Sequence, residues 1–496
     1  MHSGDEMTSR GEFFIGLDVG TSGLKGVALD VTGETVASAR ADYPTHRPIA
    51  GASEQDPRDW VKALTAVIRD LAKVASPHAW SGIGLSAMIP TLVVSDDTGN
   101  PLHPAVTWED ARAEDEGRML RDAVGEQSLY EQTGQWVDGR YLLPMFARIV
   151  DDLPPTTATQ GLHLLSAKDW VLHWLTGQIA TDPATATGTG AYNLSTGTYS
   201  TAITGRAEVL TGRALPQLSP VTDSTTTYRI TDERAHELGL PIGLPIAVGA
   251  ADAMAAILGL GVTASGDVIY LAGTSTVIVG ISDHRHYDPQ HRFLVTPLAL
   301  EGYGHEMDLL ATGSAVAWLA DLMGLTSPDD LVAMARSIPP DSVDVPTMLG
   351  YLAPGEQGAL WDPSLTGVIE GMTLHTSAAH MGRALLTSIT NESARCLAVW
   401  DETTSNHGAI HVAGQGIDQP ALAELADATG RPTHRCGNVQ SPHSAVGAAL
   451  LLAAALGVDP LPTHHVAELE TMPRPENASI WQHLRRRHDE VRSRTS

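Results

Sequence analysis

The stretch Phe13-Phe14-Ile15-Gly16-Leu17-Asp18-Val19-Gly20-Thr21-Ser22-Gly23-Leu24-Lys25-Gly26-Val27-Ala28-Leu29-Asp30 reads as strand, turn, strand. Two apolar runs flank a break rich in glycine and small hydroxyls, which is a hairpin pattern. A third run, residues 35–41, follows the turn Val31-Thr32-Gly33-Glu34, so an antiparallel meander is expected. The first turn also carries chemistry. Glycines let backbone N–H groups approach a phosphate, and small hydroxyls add donors without bulk. Gly20, Thr21 and Ser22 supply both, and Lys25 brings a cation able to neutralise a phosphate. Asp18 ends the buried strand at the same place, where a carboxylate beside a triphosphate commonly holds Mg²⁺. Taken alone, the turn also fits a plain glycine-rich hairpin with a solvated Asp.

Moving outward, residues 56–75 carry apolar side chains at helical spacing (Trp60, Leu64, Val67, Ile68, Leu71), with Asp56-Pro57 as cap and first helical residue. Residues 82–86 and 91–95 read as strands, residues 110–180 as mainly helical, and residues 181–230 as loops and short strands. Near residue 245 the opening pattern returns. An apolar strand, 245–250, leads to Asp252 and a small-residue helix, 253–260. A strand over 267–272 then runs into Gly273-Thr274-Ser275-Thr276 and a strand over 277–281. Two such turns, one in each half, point to a nucleotide held by two related domains. The break is placed at 240–250, giving domains 1–245 and 246–496. Further on, a helix over 375–399, a strand over 409–413, the turn Gly414-Gln415-Gly416, and helices over 420–428 and 444–456 are expected.

Asp252 is the second carboxylate of interest. An alcohol that accepts a phosphoryl group needs a base on its proton. A carboxylate at a strand end, just ahead of the second turn, fits that task without a raised pKa, because the proton can leave late. The plainer alternative is that Asp252 caps the following helix.

The 496 residues are too many for one core, and 31 basic against 58 acidic residues give a net charge of −27. Such a field repels phosphate backbones and anionic lipids, so nucleic acid and membrane are excluded as main partners. Two cysteines, Cys396 and Cys436, make no disulfide scaffold. The apolar stretch 444–458 is short for a membrane span, and a cytoplasmic protein is expected. No G-x-x-x-x-G-K-[ST], H-E-x-x-H or G-x-S-x-G occurs. A G-x-G-x-x-A match at Gly259, Gly261 and Ala264 follows a helix rather than a strand, which argues against dinucleotide binding. The basic run Arg485-Arg486-Arg487 reads as a solvated face.

The residues together resemble the FGGY family of carbohydrate kinases, of the actin-like superfamily, and within it the xylulokinases. The resemblance covers about residues 13 to 456. It rests on Asp18 to Lys25, Gly84-Leu85-Ser86, Trp108-Glu109-Asp110-Ala111-Arg112, and Lys168-Asp169-Trp170 with Leu175-Thr176-Gly177 and Thr181-Asp182. It continues through Gly249-Ala250-Ala251-Asp252, Ala272-Gly273-Thr274-Ser275, and Ala413-Gly414-Gln415-Gly416 with Gly430-Arg431-Pro432. The resemblance implies an α/β chain of two related actin-like, ribonuclease-H-like domains with an active-site cleft between them. It implies ATP and Mg²⁺, with transfer of the γ-phosphate to a hydroxyl of a ketopentose, D-xylulose foremost.

By position, Asp252 would be the catalytic base and Asp18 would organise the metal. Gly20, Thr21, Ser22, Lys25, Gly273, Thr274 and Ser275 would hold phosphates, and Gly414 and Gln415 would lie against the adenosine. Met88, Trp108 and Asp110, with Asp252, would face the sugar. The implied partners are ATP and a small sugar or polyol; a homodimer is left open. Two departures bear on the acceptor. Where xylulokinases carry a His against the ketopentose, this chain has Pro90, and the Asn that often follows the catalytic Asp is Ala253. Losing two polar contacts changes which polyol fits. The alternatives are a kinase for ribulose, gluconate or a tetritol, or a non-catalytic nucleotide-binding sensor on the same fold.

Overall fold

The computed structural model describes residues 12–153, 161–353, 358–359, 365–414, 416–436, 442–458 and 469–494. The opening stretch forms the expected meander. Strand Phe13–Val19 pairs antiparallel with Gly23–Asp30, which pairs antiparallel with Thr35–Asp42. On its other edge Phe13–Val19 lies parallel to Trp80–Ala87, which in turn lies parallel to Pro245–Ala251. The strands read as near-continuous apolar runs because both faces of this sheet are covered.

The helix Pro57–Leu71 covers one face. Asp56 caps it by accepting the Arg58 N–H, and Pro57 occupies its first turn. Its apolar stripe of Trp60, Leu64, Val67, Ile68 and Leu71 is at most 2% exposed. Each such side chain contributes about 1.5–3 kcal/mol by leaving water. Trp60 packs edge-on against Trp170, with centroids 5.9 Å apart, and its indole N–H donates to Gln55.

The other face is covered from far along the chain. The helix His443–Ala455 is rich in Ala and Leu and buried along most of its length. Its backbone lies directly on the sheet. A Cβ at Gly16 would sit 1.8 Å from the Ala445 carbonyl oxygen, and one at Gly84 1.8 Å from that of Ala448. Only glycines permit this approach.

The chain divides into two compact units, and the division differs from the break placed at 245/246. The first unit continues to Gly261 and takes in residues 296–301 and the helix His443–Ala455. The reason is the ladder: Pro245–Ala251 bonds to Trp80–Ala87, so Asp252 stays with the first sheet.

The second unit has its own seven-stranded sheet. Val268–Ala272 pairs antiparallel with Thr276–Ser282, and that strand with Tyr303–Leu309. Val268–Ala272 also lies parallel to Ile410–Gly414, which lies parallel to Thr433–Arg435. Three antiparallel strands continued by two parallel ones therefore occur in the same order in both units. The basic run of residues 485–487 lies on the helix Ala478–Arg492, where Arg486 is exposed and Arg485 donates to the Ala428 carbonyl.

One element departs from the expectation of loops over 181–230. Residues Thr201–Thr211 form a helix capped by Ser200, whose hydroxyl accepts the Ile203 N–H. Among the described residues no helix is long and apolar enough to cross a membrane.

Candidate active site

The site in the first unit is built at the ends of adjacent strands. Ala250 and Ala251 pair with Ser86 and Ala87 after a bulge that follows Ala247. Gly249 makes the bulge feasible. Its φ is +75°, and a Cβ there would lie 1.7 Å from the Leu85 carbonyl oxygen. Asp252 is then the first residue of the helix Asp252–Gly259, whose N-cap is Ala251 with no side-chain cap bond. Among the described residues the Asp252 carboxylate accepts the adjacent Ala253 N–H, at 2.8 Å. Asp252 is thus not the N-cap residue, although its carboxylate satisfies one first-turn N–H of the helix. Asp252 is partly accessible. Burial, then the Asp18 carboxylate, push its pKa up to about 7. The sequence reading required no such shift; it arises because two acids share one desolvated strand-end site.

Asp18 sits at the other side of the same strand ends. It lies opposite Ser86 on one neighbouring strand and opposite Lys25 on the other. The Ser86 hydroxyl donates to it at 3.2 Å. Asp18 is 3% exposed, and burial raises its pKa against the lowering effects of Lys25 and Ser86. A buried carboxylate held up in this way lacks a full counter-charge.

The turn after Asp18 is braced by side chains from several places. Gly20 N–H donates to the Gly23 carbonyl. The Tyr43 hydroxyl donates to the Gly20 carbonyl. Gln55 Nε2 donates to the Thr21 carbonyl at 2.8 Å, and Arg40 donates to the Ser22 hydroxyl at 3.0 Å. Sequence reasoning missed Tyr43, Gln55 and Arg40. Gln55 lies 34 positions beyond Thr21, and no local spacing signals such a contact.

Of the residues assigned to the sugar besides Asp252, Trp108 stands open. The residue is 36% exposed, and its indole N–H donates to Thr21 Oγ1 at 2.9 Å. Met88 is 1% exposed. Asp110 is 2% exposed and acts as a brace: it accepts a forked pair from Arg112 and the Ser53 N–H at 2.8 Å. Lys168, from the family-like Lys168-Asp169 pair, is likewise structural. It is buried between Asp169 at 3.1 Å and Asp182 at 3.2 Å.

In the second unit the residues around the second turn line a cavity of about 590 Å³. Gly273 and Gly414 are on its wall, with Thr276, Ile389, Thr390, Ala421 and Leu425. Thr274 and Ser275 do not line it; the Thr274 carbonyl instead accepts the N–H groups of Thr312 and Ser314. Gly414 has φ +115°, and a Cβ there would meet the Ala272 carbonyl at 1.9 Å. The mainly apolar wall with a few hydroxyls suits a nucleoside. Gln415 lies outside the described residues.

Comparison with known proteins agrees with this architecture. Residues 13–259 match the N-terminal domain of the FGGY family of carbohydrate kinases, and residues 268–456 match its C-terminal domain. The chain belongs to the FGGY family and is a sugar kinase. It is 27% identical to a xylulose kinase of Lactococcus lactis over 500 residues, covering 98% of this chain and 97% of that protein. It is 28% identical to a glycerol kinase of an Acidovorax species over 505 residues, covering 95% and 98%. Among solved structures, a xylulose kinase from Rhodospirillum rubrum superposes with a TM-score of 0.87 at 27% identity, covering 97% and 98%. The two-domain α/β fold of actin-like sugar kinases is thereby shown.

Proposed function

We propose that this kinase transfers the terminal phosphoryl group of ATP to a hydroxyl of a ketopentose, D-xylulose first, with Asp252 as general base. The observation that carries the reading is Asp252 itself: a partly accessible carboxyl at the start of its helix, with its pKa pushed up to about 7. A base poised near the working pH takes a proton efficiently. Thr21, Ser22 and the turn N–H groups offer donors to phosphate oxygens, and Lys25 neutralises charge. The transition state is loose, so positioning and charge compensation do most of the catalysis.

Among the described residues no group of three or more His, Cys, Asp or Glu is placed to hold a metal ion. A Mg²⁺ ion that draws most of its ligands from phosphates and water needs only one or two carboxylates. Asp18, buried and short of counter-charge, fits that role. The ion would supply charge neutralisation at the phosphates; the chain's part is to hold Asp18 in place through Ser86.

The acceptor side favours a polyol whose contact with residues 88–90 is apolar. Pro90, which is partly exposed, offers no donor there, while Met88 is buried out of reach. A second acceptor class, the shorter polyols, is supported by the similarity to glycerol kinases. A coupled ADP-release assay with D-xylulose, D-ribulose, gluconate, erythritol and glycerol separates these. Turnover on D-xylulose, reduced at least about a hundredfold in Asp252→Asn with ATP affinity kept, is the expected result. ATP binding with no turnover on any polyol would replace the reading with that of a nucleotide sensor.

A further inference from the structure

The contact between Trp108 and Thr21 joins two parts of the site that the reading above treats separately. Trp108 belongs to the acceptor side, Thr21 to the phosphate turn, and they are 87 positions apart in sequence. The Trp108 turn is firmly held. The preceding Thr107 pairs with Thr91 in a five-stranded sheet, and Asp110 is locked by Arg112 and Ser53. The Thr21 backbone is held by Gln55. The indole N–H therefore reaches Thr21 Oγ1 from a rigid base, while Trp108 as a whole stays 36% exposed.

A threonine hydroxyl has one proton to give and two lone pairs. With the indole N–H occupying a lone pair, the Thr21 proton remains for a partner that only accepts, and a phosphate oxygen is such a partner. The bond's strength depends on solvent. An indole open to water shares its N–H; one covered by an acceptor's C–H face is desolvated, and its hydrogen bond strengthens.

We propose that Trp108 is a positioning residue that couples acceptor occupancy to the phosphate-facing hydroxyl of Thr21. Without acceptor the indole is wet, Thr21 is loosely oriented, and transfer of the phosphoryl group to water is slow. With acceptor bound, the indole is covered and Thr21 is fixed as a donor. This inference rests on the kinase reading above and specifies how its two substrates communicate.

Trp108→Phe keeps the ring and removes the N–H. Thr21→Val removes the hydroxyl, and Thr21→Ser restores it. In wild type, the single variants and the double variant, kcat and KM are measured with D-xylulose, or with whichever panel polyol is turned over, and ADP release is measured without any. A neutral hydrogen bond contributes about 0.5–1.5 kcal/mol, so Trp108→Phe is expected to lower kcat about two- to tenfold. Both KM values should change less than about threefold, and the melting temperature should stay put. The ratio of transfer to hydrolysis should fall with kcat. Adding Trp108→Phe to Thr21→Val should cost little more, because each variant breaks the same bond, whereas Thr21→Ser should keep sensitivity to Trp108→Phe. Wild-type kcat in Trp108→Phe, or losses that multiply in the double variant, would overturn the coupling while leaving the kinase reading intact. An inactive wild type across the panel would overturn both.

Discussion

Asp18, in the strand Phe13–Val19, and Asp252, the residue that follows the strand Pro245–Ala251, sit at the ends of two strands separated by Trp80–Ala87, and the charge on Asp18 helps push the Asp252 carboxyl up to about 7. Neither acid is perturbed by accident of sequence neighbourhood. Each ends an apolar strand, and the central strand Trp80–Ala87 sets their separation.

The first consequence is a pH profile. The base form of Asp252 in the free enzyme becomes populated as pH rises through about 7, so kcat/KM, which reports the free enzyme, should climb between roughly pH 6 and 8 and then level. A flat profile down to pH 5 would contradict this. Asp18→Asn removes a charge that raises Asp252, so the Asp252 midpoint, followed by ¹³C NMR of labelled Asp, should move down.

Stability should show the opposite face of the same shift. Folding favours the neutral form of Asp252, whose pKa is raised above the ordinary aspartate value of 3.8. The cost is absent below about pH 4, grows as pH rises, and is complete above about 7. Asp252→Asn should therefore stabilise the fold at pH 8, on the order of 4 kcal/mol, and leave it unchanged near pH 4. Thermal unfolding at the two pH values checks this.

Lys168 is fully buried between Asp169 and Asp182. Replacing it by Met leaves two buried carboxylates without their cation. A loss of about 3–5 kcal/mol is expected. Urea unfolding would register it as a lower midpoint, with nucleotide affinity of the remaining folded protein little changed.

The cavity in the second unit offers a separate test. Ala421 lines it. Ala421→Trp should fill nucleoside space and weaken ATP binding at least about tenfold, equivalent to about 1.4 kcal/mol. Isothermal titration with ATP measures this directly; unchanged affinity would place the nucleoside elsewhere.

Much of the framework was legible because it is local. Gly20 to Gly23 announces a turn between two apolar runs, and Asp56-Pro57 announces a helix start. The recurrence of strand, turn and strand at residues 267–281 was equally visible, and the structure extends it to a repeated strand order. What was hidden depends on tertiary contact. Asp110 reads as a sugar ligand until Arg112 is seen to close over it. Tyr43 and Gln55 carry no motif, yet both hold the turn after Asp18. The helix Thr201–Thr211 is built from Thr, Ala and Gly with little amphipathic pattern, so its burial of Ile203 and Ala207 decides its form. The boundary was misplaced because hydrogen bonds from Pro245–Ala251 to Trp80–Ala87 are invisible in composition.

The helix His443–Ala455 rests backbone to backbone on Gly16 and Gly84. During synthesis, the opening strands wait for a cover that the ribosome makes more than four hundred residues later. A nascent chain stalled before that point would present a bare apolar sheet face, and any protein cut there would be expected to need a chaperone or the missing fragment supplied in trans.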